Sequence, residues 1–393
     1  MIQKFTSTEQ LSSLSSTKAL RGYPDCCISI QSKILLHKNK CEKRNVDIMT
    51  EKMQAMVLTK LAPIETRPLK LMSIEKPTIK ERDGLFLEIE ACGVCRSNLH
   101  LIEGDWKKYG APSSLPIVPG HEVVGIIKKI GDHVKKVKPG DRVGIQPLFS
   151  SCLQCEYCMS SRENLCESAE ITGETVQGGY AEYISALEEF VTPIPDNFDS
   201  AHAAPLFCPG LTAFKVVKAS EPAAGKTVGI FGIGGVGHLA IQIAKVHGAR
   251  VVAVSRARKH IDLSKKLGAD NAVVYQELDE QFLKYLKDDE GLLDSAIVLA
   301  PSDKVIGAAI KSVKKGGIVV LGVRGNVPDF PTFEEKIVKG SNIGTRKDMT
   351  DLVKMASSWG LQVIIEMRRL AEANEVLHRL KKSEVEARAV LIP

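Results

Sequence analysis

Residues 227–248 read TVGIFGIGGVGHLAIQIAKVHG and carry the strongest local signal in the chain. Residues 227–231 are typical of a buried strand, and an apolar periodic stretch at 236–247 predicts a helix. Between them lies a G-x-G-x-x-G pattern, in which glycines permit a tight turn and close approach of the backbone to a pyrophosphate. The stretch therefore predicts a dinucleotide-binding unit whose contact residues are Gly232, Gly234, Gly235 and Gly237.

The pattern continues on the C-terminal side of this unit as strands alternating with helices. Predicted strands lie at 251–255, 293–299 and 317–321, and predicted helices at 259–267 and 303–314. This alternation is typical of an α/β domain with a doubly wound parallel sheet. On the N-terminal side the chain instead shows short strands separated by turns, which predicts a mainly β region; these strands lie at 54–58, 85–91, 122–130 and 141–145.

The residues that end the second predicted strand bear on the choice of cofactor. Enzymes that prefer NAD usually have an acidic residue there, because a carboxylate holds the ribose hydroxyls and repels a 2′-phosphate. Here Ser255 takes that place and Arg256 follows, so a phosphate has a cationic partner instead. The pattern favours NADP(H) over NAD(H). A solvated basic start to the next helix is the alternative interpretation.

A compact group of cysteines follows the spacing C-x2-C-x2-C-x7-C; its members are Cys152, Cys155, Cys158 and Cys166. Zinc prefers tetrahedral thiolate ligands, and one loop that supplies four of them closes the site at little cost. A zinc ion saturated in this way has no open position, which indicates a structural duty. An iron–sulfur cluster and four unconnected reduced thiols are the alternatives.

Cys95, His121 and Cys208 form a dispersed second set. Two thiolates and an imidazole would leave a fourth position on zinc for water or substrate, which is typical of a catalytic site. Spacing alone does not bring these residues together. Taken singly, Cys208 fits a small core residue and His121 fits a hydrogen-bonded turn residue.

From residue 53 to 393 the sequence resembles the zinc-containing alcohol dehydrogenases of the medium-chain dehydrogenase/reductase superfamily. The resemblance rests on specific motifs, among them Gly93-Val94-Cys95-Arg96-Ser97, Pro119-Gly120-His121-Glu122 and Gly178-Gly179-Tyr180-Ala181-Glu182-Tyr183. It implies a GroES-like, mainly β catalytic domain at 53–208, with a zinc lobe at about 150–168. A Rossmann domain at 209–343 interrupts this domain, and residues 344–393 complete it. Residues 1–52 lie outside the resemblance as an N-terminal extension.

The same resemblance assigns roles to individual residues. Catalytic zinc would be held by Cys95, His121 and Cys208, with Glu122 behind the metal. Ser97 and His100 would carry a proton away from the substrate. Thr212 would pack against the nicotinamide, and Arg388 would reach the pyrophosphate. One departure is Asn98, which stands where the family usually has an aspartate that raises the basicity of the zinc-bound histidine.

The resemblance implies reversible hydride transfer between an alcohol/aldehyde pair and NADP(H) or NAD(H), with two zinc ions per chain, one in each cysteine-containing set. A zinc enzyme acting on polyols or sugars is the nearest alternative. A zinc-independent reductase of the same fold would lack the dispersed ligand set. A non-enzymatic NADPH-binding protein with a vestigial site belongs to another class, and Asn98 leaves it open.

Composition limits the partners. The chain has 393 residues, 44% of them apolar, and a net charge of +6, so it can bury a large core without a strongly basic surface. Nothing indicates nucleic-acid binding, and no apolar run of about 18 residues indicates a membrane span. Ten cysteines in a chain of this length without a secretory signal favour reduced thiols. We expect a soluble, cytoplasmic protein that acts on a small molecule, as a homodimer or homotetramer by analogy.

Overall fold

The computed structural model describes residues 51–275, 280–327 and 329–393. In this part of the chain the strands are β1 (Lys52–Leu58), β2 (Leu69–Glu75), β3 (Gly84–Gly93), β4 (Glu122–Ile130), β5 (Arg142–Ile145), β6 (Leu148–Ser150), β7 (Glu170–Ile171), β8 (Tyr183–Leu187), β9 (Val191–Pro193), β10 (Thr227–Phe231), β11 (Arg250–Ser255), β12 (Asn271–Val274), β13 (Leu293–Val298), β14 (Val313–Leu321), β15 (Ile337–Gly340), β16 (Ile365–Arg369) and β17 (Arg388–Ile392). The helices are α1 (Arg96–Glu103), α2 (Glu156–Met159), α3 (Ser200–Ala203), α4 (Pro209–Ala219), α5 (Gly237–Val246), α6 (Arg258–Lys266), α7 (Glu280–Glu290), α8 (Asp303–Ser312), α9 (Arg346–Trp359) and α10 (Ala373–Lys381).

The predicted extension at 1–52 lies, apart from its last two residues, outside the described residues. The described fold opens on β1, which forms an antiparallel hairpin with β2. No helix within 51–275, 280–327 or 329–393 is long and apolar enough to cross a bilayer.

A seven-stranded sheet forms the mainly β part of the molecule, as the sequence predicts. Its order is β16-β17-β3-β4-β5-β9, and β8 pairs with β3. The C-terminal strand β17 joins this sheet beside β3, where Val390 pairs with Gly93. The end of the chain therefore returns to the region from which β3 and β4 deliver Cys95 and His121.

The second sheet has six parallel strands in the order β12-β11-β10-β13-β14-β15. The chain runs from β10 outward to β12, then crosses back to β13 on the other side of β10. Ligands of doubly wound sheets bind where the strand order reverses. The glycine-rich turn follows β10 at this reversal, and the predicted α/β fold with a Rossmann-like parallel sheet is confirmed.

One predicted boundary between a helix and a strand differs in the structure. The predicted helix at 303–314 ends at Ser312, and β14 begins at Val313 rather than at 317. Val313 is fully buried and pairs with Leu293 before a register shift, so packing against β13 outweighs the helical pattern. The segment at 344–393 begins with α9, whose buried Leu352 lies in the same apolar core as Leu211 of α4.

Candidate active site

The cysteines of the predicted zinc lobe converge. The four sulfur atoms of Cys152, Cys155, Cys158 and Cys166 lie within 4.8 Å of one another. Their loop also directs backbone N–H groups at sulfur, from Cys155 to Cys152 at 3.4 Å and from Cys152 to Cys166 at 3.5 Å. Hydrogen bonds from the backbone of Gln154 and Cys155 lower the pKa of Cys152 to about 6. These donors fit a tetrahedral thiolate metal such as zinc.

The dispersed set also converges, although its members come from three separate elements. Cys95 is the residue before α1, His121 precedes β4, and Cys208 precedes α4. Their ligand atoms and a carboxylate oxygen of Glu122 lie within 4.8 Å of one another, and the two sulfur atoms are 3.7 Å apart. His121 and Cys208 are buried.

The two thiols of this set lie within hydrogen-bonding distance of each other. The hydrogen bond from Cys208, together with nearby His121, holds the pKa of Cys95 well below its usual value. The same hydrogen bond and burial raise the pKa of Cys208 well above its usual value. A thiolate is the form that binds metal, so the lowered pKa of Cys95 favours the metal-binding form of this ligand. Two sulfurs and one imidazole fit zinc with an open position.

Side chains around His121 fix its ring. Ser97 Oγ lies 3.2 Å from His121 Nε2, and the Asn98 amide nitrogen lies 3.5 Å from His121 Nδ1. Asn98 Oδ1 accepts hydrogen bonds from the Tyr180 hydroxyl at 3.0 Å and from the Cys95 N–H at 3.2 Å. Asn98 and Tyr180 are fully buried. Asn98 thus contacts both Cys95 and His121. Tyr180 holds Asn98 in place, a role that the sequence motif does not indicate.

Glu122 and Arg388 form a buried ion pair beside the cluster. The Arg388 guanidinium donates to Glu122 Oε1, and both side chains are at most 5% exposed. Burial raises the pKa of Glu122 to about 7, although Arg388 opposes this shift. A methyl group at Gly235 would lie 2.7 Å from the Arg388 side chain. Arg388 therefore reaches from the Glu122 carboxylate, beside the candidate ligands, to the glycine-rich turn. Both members of the pair are buried, so neither is a surface residue.

The glycine-rich turn has the geometry that the pattern requires. Gly232 has φ +107°, and a methyl group there would lie 2.9 Å from the backbone nitrogen of Ala300. By contrast, a methyl group at Gly234 would meet no atom within 4 Å, so the backbone faces open space there. His238, the residue after Gly237, is buried with its Nδ1 3.2 Å from the Gly234 carbonyl oxygen. The His238 imidazole thus contacts the turn, a role that the glycine pattern does not indicate.

Ser255 is the last residue of β11 and Arg256 follows it, but the two side chains lie in different surroundings. Ser255 is buried, with its hydroxyl 3.1 Å from His260 Nδ1, whereas Arg256 is exposed. Arg258 faces Asp262 at 3.7 Å, and Lys259 donates to the Ser383 carbonyl at 3.4 Å. Within the described ranges neither Arg256 nor Lys259 forms an ion pair, and of the two only Lys259 has a side-chain hydrogen bond.

The remaining predicted residues lie around the same region. Thr212, in the first turn of α4, donates its backbone N–H to the Cys208 carbonyl at 2.8 Å. His100 pairs with Asp105 at 2.7 Å and stacks on Trp106 with ring centroids 5.7 Å apart. The described contacts do not include one between Ser97 and His100. Asp105, which orients His100, is a supporting residue outside the sequence motifs named above.

Comparison with known proteins agrees with this architecture. The family model described as "Alcohol dehydrogenase GroES-like domain" matches residues 81–196, and "Zinc-binding dehydrogenase" matches residues 235–358. An alcohol dehydrogenase of Geobacillus stearothermophilus is 41% identical over 330 residues, covering 83% of this chain and 96% of that protein. A probable mannitol dehydrogenase of Stylosanthes humilis is 32% identical, with coverages of 79% and 89%. The alcohol dehydrogenase structure of Aeropyrum pernix matches with a TM-score of 0.78 and 29% identity, over 86% of this chain and 100% of that chain.

Proposed function

The chain belongs to the zinc-containing alcohol dehydrogenases of the medium-chain dehydrogenase/reductase superfamily, and we propose that it interconverts an alcohol and its aldehyde with NADP(H) as the preferred hydride carrier. It is a zinc-dependent alcohol oxidoreductase that uses a nicotinamide cofactor. One observation carries the proposal: the convergence of Cys95, His121 and Cys208 within 4.8 Å, beside an arginine that reaches the glycine-rich turn.

In this proposal the dispersed set holds the catalytic zinc, and the lobe cysteines hold a second, structural zinc. A zinc ion with an open position supplies a Lewis acid that polarises an alcohol or aldehyde oxygen. Two features of the chain support this: the lowered pKa of Cys95 favours its thiolate form, and the imidazole of His121 contacts Ser97 and Asn98. Glu122 stays behind the ligands, because Arg388 holds its carboxylate.

Proton transfer falls to Ser97 and His100. Ser97 Oγ lies 3.2 Å from a ligand atom of His121, which places a hydroxyl where it can take a proton from a substrate oxygen. His100 is partly exposed, and its pairing with Asp105 suits it to pass the proton to solvent. Between the two we propose that ribose hydroxyls of the cofactor complete the path.

Cofactor preference follows from β11. Ser255 occupies the position where an NAD-preferring enzyme usually has a carboxylate that would repel a 2′-phosphate. Arg256 has no competing ion pair among the described residues, so it is available to a phosphate. The double variant Ser255→Asp/Arg256→Ile should lower the ratio of kcat/KM for NADP to that for NAD by about 100-fold. The matched control is Arg258→Ile, which removes a nearby arginine paired with Asp262 and should leave the ratio unchanged. Wild-type preference in the double variant refutes the assignment.

The activity itself is tested on the purified full-length protein. Zinc per chain is measured first, and oxidation of NADPH and NADH is then followed with aliphatic, aromatic and polar aldehydes. Two zinc ions and aldehyde turnover are expected. One zinc ion without turnover would instead favour a binding protein with a vestigial site. Polyols and sugars belong in the panel as the second candidate substrates, because one similar protein is a probable mannitol dehydrogenase.

We also propose a cytoplasmic homodimer or homotetramer. The seven cysteines in the described ranges carry free thiols, which fits a reducing compartment. In the described six-stranded sheet, β15 is an edge strand, where Ile337 is 45% exposed and Phe333 nearby is fully exposed. An edge strand with apolar side chains is suited to pair with another chain. Light scattering coupled to gel filtration gives the number of subunits, and a monomer would contradict the proposal.

A further inference from the structure

One buried histidine has no role in the activity described above. His238 is the second residue of α5 and follows the last glycine of the glycine-rich turn. Its side chain is fully buried, and its Nδ1 lies 3.2 Å from the carbonyl oxygen of Gly234. The backbone N–H of His238 donates to the same oxygen at 3.1 Å. Two groups of one residue therefore hold the Gly234 carbonyl.

Only one ring nitrogen of His238 is hydrogen-bonded within the described residues. Its Nε2 is buried and has no partner there. Burial lowers the pKa of His238 to about 4, so the imidazole is neutral at neutral pH and carries a single proton. Because Nδ1 is the nitrogen that faces an acceptor, the proton lies on Nδ1 and is donated to the Gly234 carbonyl. His238 thus fixes a position and adds no charge.

The held carbonyl fixes the direction of the next N–H group. The peptide bond between Gly234 and Gly235 is trans, and a trans peptide directs its C=O and its N–H to opposite sides. Since the Gly234 oxygen is turned toward the buried His238 ring, the Gly235 N–H points away from that ring. A methyl group at Gly234 would meet no atom within 4 Å, so the space beside this peptide is open.

The N–H groups of the turn are available to a ligand. Within the described ranges, the backbone N–H groups of Gly234, Gly235 and Val236 donate to no carbonyl oxygen and to no side chain. No side chain caps the start of α5 either. Free N–H groups at such a strand–turn–helix junction bind anions, and the pyrophosphate of a dinucleotide is the anion that this fold binds there.

We propose that His238 is a positioning residue for the cofactor: by holding the Gly234 carbonyl, its imidazole directs the Gly235 N–H at the pyrophosphate. This inference rests on the proposed alcohol dehydrogenase function. Glycine adopts more backbone conformations than other residues, so a peptide between two glycines rotates easily unless it is held. Without the imidazole, cofactor binding has to order this peptide, and affinity falls.

The test measures cofactor binding directly on the full-length, zinc-loaded protein. Fluorescence titration gives the Kd of NADPH and the Kd of NADH in the absence of substrate. His238→Leu fills similar space but removes the donor, and it should raise both Kd values by about 5- to 10-fold. The ratio of the two Kd values should stay as in wild type, because both cofactors carry the same pyrophosphate.

Two further variants separate the hydrogen bond from packing. His238→Asn places an amide donor close to the position of Nδ1 and should keep both Kd values within about twofold of wild type. His238→Gln places its amide nearer the position of Nε2 and should behave like His238→Leu. A residue that only filled space would instead tolerate leucine better than asparagine.

His247→Leu is the matched control. His247 follows the other end of α5, and its Nδ1 lies 2.8 Å from the carbonyl oxygen of Ile243, again four residues earlier in the chain. Its loss should leave both Kd values unchanged. The inference is overturned if His238→Leu binds both cofactors as tightly as wild type, if leucine is better than asparagine, or if only the Kd of NADPH changes. A wild-type protein that binds neither cofactor would refute the proposed function as well.

Discussion

The two cysteine clusters differ in how the chain builds them. The lobe cluster uses four sulfurs from residues 152–166, and hydrogen bonds from its own backbone reach those sulfurs. The dispersed cluster spans residues 95–208, and distant side chains support it. Tyr180 reaches it through Asn98, and Arg388 reaches it through Glu122.

This difference separates two duties. Four thiolates from one loop saturate a metal and tie the loop together, so its loss costs stability. Three ligands from separate elements leave a position open, and a surrounding set of buried polar groups controls its charge. If the two clusters divide stability and chemistry in this way, loss of a ligand should have a different consequence in each.

The largest effect is expected for Cys208→Ser. Loss of a ligand from the open set should lower kcat/KM by about 1,000-fold or more, because the metal acts mainly in the transition state. Zinc content should fall by one ion per chain while the lobe zinc stays. Cys92→Ser is the control, since Cys92 is buried but belongs to neither cluster. Retained activity in Cys208→Ser contradicts the proposed metal site.

Arg388→Met should produce the largest loss of stability. It leaves Glu122 buried without its cation, which costs about 3–5 kcal/mol in typical cases. Urea unfolding at neutral pH measures the change. The double variant Arg388→Met/Glu122→Gln removes the stranded charge and should be more stable than Arg388→Met alone. If both variants unfold at the same urea concentration, the pair is not coupled.

Cys155→Ser tests the other cluster. Removal of one thiolate from the lobe should release its zinc and lower the free energy of unfolding by about 2–3 kcal/mol. The activity of the folded fraction should fall far less than in Cys208→Ser. Thermal unfolding, zinc content and kcat/KM measured on the same sample check this. A loss of kcat/KM as large as that in Cys208→Ser would show that the lobe takes part in chemistry.

Asp348 links α9 to α4, the helix that follows Cys208, and a variant at this residue tests how much that link stabilises the fold. This carboxylate of α9 binds Lys215 and Lys218 of α4 at 3.0 Å each. Although burial opposes the shift, hydrogen bonds from Thr345 and the two lysines lower the pKa of Asp348 to about 2. Because the folded pKa is depressed, the stabilisation is present above the unfolded value of about 4 and is lost as pH falls toward 2.

Asp348→Asn should therefore lower the free energy of unfolding by about 2 kcal/mol at pH 7. The difference from wild type should shrink in urea titrations as the pH falls below about 4. Asp351→Asn is the control, because Asp351 lies on the same helix but pairs with exposed Lys347 at 2.8 Å. A difference that is constant with pH contradicts the assigned charge.

The smallest effect is expected for Asn98→Asp. A carboxylate beside His121 raises the basicity of the ring, so zinc should be retained about tenfold longer under a chelator. The lobe zinc, which Asn98 does not contact, should leave at the wild-type rate. Two-phase zinc release monitored with a chromophoric chelator resolves both sites. Faster loss of the catalytic zinc would contradict the supporting role given to residue 98.

Local pattern was sufficient for much of the fold. The strand predicted at 227–231 matches β10, and the one at 122–130 matches β4. The four lobe cysteines also converge as their spacing indicates. In each case the residues that determine the feature are neighbours in sequence, so steric preference and ligand spacing act within a few residues. Where distant packing competed, as at Val313, the local pattern gave the wrong boundary.

The sequence by itself therefore determined the glycine-rich turn, the lobe and the sheet classes, while the tertiary structure decided how distant side chains share one site. Motif resemblance grouped Cys95, His121 and Cys208, but spacing did not. The partnership of Glu122 with Arg388 joins residues 266 positions apart. Such contacts arise from folding of the whole chain, because a side chain's charge and hydrogen bonds act through space, and sequence separation does not encode that distance.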